Sequence, residues 1–180
     1  MIYQEKHFFS KITMMKADLA LKKNIRNWII FFIVALVISG ITAFALETEL
    51  AWLNHILAGR NSGFSFWINK VYNALRETNR DYPFLAYGYD WLAFAHLVIA
   101  VAFIGVLKEP VRNKWIIQFG RIACWMILPL AFIAGHIRGI PFFWQLIDCS
   151  FGMIGLIPLS ICYRKIEKLE KLNRSSYLIS

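Results

Sequence analysis

From Asn27 to Leu46 the chain runs for 20 residues without a charge. At about 1.5 Å of rise per residue, a helix of that length crosses the ~30 Å hydrocarbon core of a bilayer. Weaker versions of the same run recur three times within 180 residues, at Trp91 to Leu107, Trp115 to Gly135 and Gly139 to Tyr163. Composition agrees: 58% of residues are hydrophobic, 16% are aromatic and the mean hydropathy is +0.51, beyond the usual range of a water-soluble domain. Four such segments use nearly the whole length, so a separate soluble domain has no room to build a core.

The runs predict an all-α fold: an integral membrane four-helix bundle with spans at 27–46, 89–107, 115–135 and 141–163, forming one domain over 1–180. The links from Lys108 to Lys114, which includes Pro110, and from His136 to Pro141 are short, which makes spans two, three and four antiparallel neighbours. Residues 1–26 read as a cytoplasmic amphipathic segment, 47–88 as an extracytoplasmic helical loop and 164–180 as a cytoplasmic basic tail.

Orientation follows from the cationic residues, because positively charged loops stay on the cytoplasmic side. Fourteen Lys and Arg fall before span one, between spans two and three, and after span four, whereas five (Arg60, Lys70, Arg76, Arg80 and Arg138) fall on the opposite face. Acidic residues divide evenly, so the net charge of +9 sits on one face. Both termini are expected in the cytoplasm, with a bacterial inner membrane as the default compartment. A basic balance also suits nucleic acid, but these charges flank membrane spans and no nucleic-acid motif accompanies them. Attraction to membrane lipids is the reading adopted, and nucleic acid is excluded as a partner.

Phe8, Ile12, Met15 and Leu19 fall at helical spacing among the N-terminal lysines, as in a helix lying along the inner leaflet. Ala43-Phe44-Ala45 mimics a signal-peptide cleavage site, but the preceding basic region and apolar run are both too long, so span one is read as an uncleaved anchor. Ala35, Ser39 and Ala43 recur every four positions and form a groove that a second helix can approach, in this chain, in a homo-oligomer or in a partner membrane protein.

In the long loop, Leu50, Leu53, Ile56 and Leu57 extend a helical stripe beyond span one. After a break at Gly59 to Gly63, a second stripe follows at Phe64, Trp67, Ile68, Val71 and Leu75. Asp81-Tyr82-Pro83 turns the chain back, and Tyr87, Tyr89 and Trp91 mark the outer interface.

Cys124, Cys149 and Cys162 all fall within spans without a CxxC pattern and read as packing thiols. Chemistry is better sought among ionisable groups at membrane depth, which are costly there unless partnered or used. His96 and Asp148 enter their spans from the same side and lie about 8–10 Å below the outer surface. These two are the candidate catalytic residues. Asp90, His136 and Arg138 lie above them, while Trp144 and Gln145 sit in the aromatic and polar stretch leading to Asp148; these five complete a candidate ligand pocket. No metal site is assigned, because no HxxxH or ExxH spacing occurs. Haem needs two axial histidines at matched depth, and His136 is too shallow to pair with His96. No cofactor is assigned.

Arg121 either snorkels to the inner interface or reaches toward Asp148. No motif ties the chain to a reaction. The expectation is a non-catalytic membrane subunit or interaction protein; the alternative is a binding protein or enzyme acting on a lipid- or quinone-like ligand through the outer polar site.

Overall fold

The computed structural model describes the backbone of Ile2–Ile179 and the side chains of residues 12–175. Helices α1 (Ile2–Phe44), α2 (Leu46–Ile56), α3 (Gly63–Asp81), α4 (Ala86–Lys108), α5 (Lys114–Ile137) and α6 (Phe142–Ile179) follow in order, with a 3-10 turn at Pro83–Leu85 before α4. No strand occurs among the described residues. Among the described residues, four stretches are long and apolar enough to cross a membrane: Ile12–Phe44, Pro83–Lys108, Lys114–Ile137 and Phe142–Ser175. The protein is therefore all-α and built from membrane-spanning helices, whose unburied apolar side chains require lipid or another polypeptide against them.

These helices outrun the uncharged segments that announce them. α1 continues unbroken through residue 26, so the basic N-terminal stretch and span one are one helix. The side chain of Phe8 lies outside the described residues, whereas Met15 and Leu19 are exposed and Ile12 is half-buried. At the other end α6 passes residue 163 without a break, because Leu159, Cys162, Ile166 and Leu169 alternate by three and four positions and all are buried.

The chain divides into two compact units, one of Met1–Ile33 with Val101–Ser180 and one of Val34–Ala100. In the first, α5 and α6 pack against each other along much of their length. Small residues set the distance. A Cβ on Gly152 would lie 2.6 Å from the Cys124 carbonyl oxygen, and one on Gly120 would lie 2.8 Å from the Phe103 ring. Ile25 and Ile29 of α1 are fully buried, Phe32 tilts against Phe103 with ring centroids 4.9 Å apart, and the Cys162 thiol sits 3.9 Å from the Ile25 carbonyl. Gly139, at φ +65°, closes α5 in a Schellman arrangement: the Ile140 N–H donates to Gly135 O and the Gly139 N–H to His136 O.

In the second unit, α2 and α3 form a hairpin. Ser62 caps α3: its hydroxyl accepts from the Ser65 N–H, while the Ser65 hydroxyl accepts from the Ser62 N–H and also donates to Arg60 O. Leu50 and Ile68 are buried along the two apolar stripes, although Ile56 points outward at 44% exposure. Polar side chains tie the elements. Asn69 donates to Asn54 at 3.3 Å, Asn79 donates to Glu47 at 2.6 Å, and the Tyr89 hydroxyl donates to Asn79 at 3.0 Å. The end of α1 meets α4 at Gly40, where an added Cβ would lie 2.9 Å from Ala93 O. Gly40 is buried, whereas Ala35 and Ser39 are exposed and Ala43 is half-buried. The close approach within this unit is thus made one residue away from the expected Ala35, Ser39, Ala43 groove.

Candidate functional site

The expected site residues fall in both units. His96 and Asp90 lie on α4 in the second, while His136, Arg138, Trp144, Gln145 and Asp148 lie around the α5–α6 turn in the first. Six residues of helix separate the side chains of Asp90 and His96 by about 120° around the axis, so they face different surroundings.

His96 is half-buried beside Gly40, its Cβ 3.2 Å from where a Gly40 Cβ would stand. Its Nδ1 lies 2.8 Å from Leu92 O of the preceding turn. A carbonyl only accepts, so Nδ1 carries the proton and Nε2 is left for another partner. Asp90 stands elsewhere on the helix. With Phe44, Tyr87, Trp91 and Phe94 it lines an open groove of about 340 Å³. Tyr87 and Phe94 meet Trp91 edge to face, at centroid distances of 5.8 and 6.0 Å. Asp90 is half-buried and has neither hydrogen bond nor ion pair within its unit.

Around the α5–α6 turn, Gln145 has a defined task. It is 6% exposed, its Nε2 donates to Ile140 O at 2.8 Å, and its Cγ would be 2.8 Å from a Cβ on Gly135. The amide therefore braces the Schellman turn, satisfying a carbonyl of the link between α5 and α6. His136 and Arg138 are exposed and Trp144 is half-buried. Asp148, also half-buried, forms no hydrogen bond or ion pair with the described residues of its unit.

Arg121 turns away from Asp148. Its guanidinium lies 4.7 Å from the centre of the Tyr163 ring, and Tyr163 is 15 residues, about 22 Å of helix, beyond Asp148. Its Nε is buried without an acceptor among the described residues. Tyr163 is the centre of a cluster that reading single segments does not reveal. Lys114 Nζ lies 4.9 Å from the same ring, Gln118 donates to the Tyr163 hydroxyl at 3.1 Å, and Lys114 pairs with Glu170 at 3.2 Å and Glu167 at 3.5 Å. The signal was present as Lys114, Gln118 and Arg121 on one face of α5, but their partners lie over forty residues away.

Of the outer arginines, Arg80 pairs with its neighbour Asp81 at 2.8 Å, and this guanidinium holds the Asp81 carboxyl below the usual carboxylate range. Arg60, Arg76 and Arg138 are exposed. A polar cavity of about 470 Å³ lies at the α2–α3 turn, between Asn54, Asn61 and Asn69. Among the described residues, no three of His, Cys, Asp and Glu converge on a point that would hold a metal ion. No family model, curated protein or solved structure matches this chain.

Proposed function

We propose that the chain is a non-catalytic membrane subunit or interaction protein, placed in a bacterial inner membrane with both termini in the cytoplasm. The observation that carries this reading is the cover that α1 lacks: only 11% of its apolar window is buried, against 33% for that of α6. Phe31, Val34, Ile38 and Ile41 are exposed along it, together with the small residues Ala35 and Ser39. Helices associate in lipid where small residues let backbones approach, so this surface suits a helix of a second copy or of another membrane protein. Cysteine placed at Ala35 or Ser39 should cross-link to one species of defined mass in native membranes. Cross-linking that is absent at both positions, with a monomer alone recovered, would overturn the reading. A reporter fused after Ser180 should be accessible only from the cytoplasm.

A second reading is favoured by the unpaired Asp90 in its aromatic groove: a membrane protein that binds or acts on a lipid- or quinone-like ligand. In it, Asp90 contacts the ligand in the second unit, where His96 is the candidate proton-transferring group, and Asp148 is the candidate proton-transferring group of the first, with His136, Arg138, Trp144 and Gln145 as its ligand-binding surroundings. Asp148→Asn should then abolish the activity while leaving thermal stability within about 1 kcal/mol. A stable variant with full activity in its host would exclude Asp148 from any site.

A further inference from the structure

We infer that the groove of Asp90 binds the ammonium headgroup of a zwitterionic phospholipid. This rests on the ligand reading above but concerns Asp90 and its rings alone. The groove lies where α1 ends, at Phe44, and α4 begins, at Tyr87 to Phe94. Asp90 stands with Tyr87, Tyr89 and Trp91 in the first turns of α4, at the end of an apolar stretch, where interfacial aromatics and headgroups meet.

A carboxylate there needs a cation, and the protein supplies none from the same unit. Arg80, the nearest arginine in sequence, is held by Asp81 at 2.8 and 3.1 Å. The surroundings select the kind of cation. A hard metal ion keeps its affinity for several oxygen ligands, and the groove offers one carboxylate among four rings. An organic ammonium is satisfied by that combination, because its charge pairs with the carboxylate while its N–H and C–H groups lie on the π faces. The rings are held in place: Trp91 is wedged edge to face between Tyr87 and Phe94, at interplanar angles of 84° and 89°. At about 340 Å³ the groove is at the small end of ligand sites, suited to a headgroup rather than a whole lipid. It is also open, which lets acyl chains leave along exposed Val98 of α4.

Native mass spectrometry of the full detergent-solubilised chain tests this, with dioleoyl phosphatidylethanolamine and the same lipid acetylated on its headgroup nitrogen as probes. The wild-type chain should retain the free ammonium form at least fivefold better than the acetylated one. Asp90→Asn should reduce retention to the acetylated level, Asp90→Glu should keep most of it, and Trp91→Leu, an exposed position, should reduce it about threefold. Equal retention of the two lipids by the wild-type chain overturns the inference even if no variant folds. Full displacement by millimolar free ethanolamine would also overturn it, by making a soluble ammonium the ligand. A retained lipid or quinone that Asp90→Asn leaves untouched removes this site and leaves the His96 and Asp148 reading standing. No retained ligand of any kind removes both.

Discussion

Where Val101–Ser180 packs with Met1–Ile33, helices meet through glycine, cysteine, aliphatic and phenylalanine side chains, and a ladder of polar contacts links Lys114, Tyr163, Glu167 and Glu170. In Val34–Ala100 the elements are tied by amides and hydroxyls, Asn54 to Asn69 and Tyr89 through Asn79 to Glu47, and the aromatic rings of α4 stay on the surface. The first arrangement derives its stability from close approach, which tolerates no added atom. In the second, hydrogen bonds between mostly half-buried groups, each worth little alone, add to the close approach at Gly40, and the ring surface of α4 is left for contact. The proposed headgroup site lies on the second.

The strongest way to break this contrast is to add one methyl group to each unit. Gly152→Ala places a Cβ 2.6 Å from a backbone oxygen and 3.3 Å from Ile127, so two helices must separate. The expected loss is about 2–3 kcal/mol, read by thermal unfolding in detergent. Gly40→Ala in the other unit meets Ala93 O at 2.9 Å and should cost about half as much. A Gly40 variant less stable than the Gly152 variant would reverse the assignment of the tightly packed unit.

Much of this was legible beforehand, for definite reasons. Apolar runs report burial in lipid directly, so the four spans, the helical loop and the turn at Pro83 could all be read. Helix ends could not, because a helix continues wherever one face stays buried, and Ile166 and Leu169 lie among lysines and glutamates. Periodicity also defines faces without saying which one meets a neighbour. Ala35 and Ser39 marked a face of small residues, yet Gly40 makes the contact. At the candidate site Asp90 stood out as a charge at the mouth of a span, and Tyr87 and Trp91 as interface aromatics. Their union in one groove with Phe44 depends on a contact between helices more than forty residues apart in sequence.

An intermediate effect is expected at the α3 cap. Ser62→Ala removes the acceptor of the Ser65 N–H, 3.1 Å away, and should cost about 1 kcal/mol. Because the hairpin is a local element, hydrogen exchange should quicken over Gly63 to Trp67 and leave α5 and α6 unchanged. Spread of the effect into α6 would show that the two units unfold together. Lys114→Ala probes the other side. Its pairs with Glu167 and Glu170 are partly exposed, at 22% for the lysine side chain and 43% and 29% for the glutamates, so the loss should stay below about 1 kcal/mol. It should shrink further in salt, which screens such pairs. A loss that salt does not change would mean that the lysine stem's packing on Tyr163, not its charge, is what matters.

The smallest effect separates an open surface from a covered one. Gly88 stands in the first turn of α4 between Tyr87 and Tyr89, and a Cβ there meets nothing within 4 Å. Gly88→Ala should therefore stabilise the isolated chain by roughly 0.5 kcal/mol, the usual gain when a helical glycine becomes alanine. The same methyl group lies beside the Asp90 groove, and what it does there depends on what covers the groove in the membrane. A fluid headgroup moves aside for one methyl, so lipid retention should persist alongside the small gain. A rigid partner helix would not yield: the variant would then show the same small gain when purified alone, yet fail to assemble in native membranes. That outcome would hand this face of α4 to a protein partner and leave the exposed side of α1 to lipid.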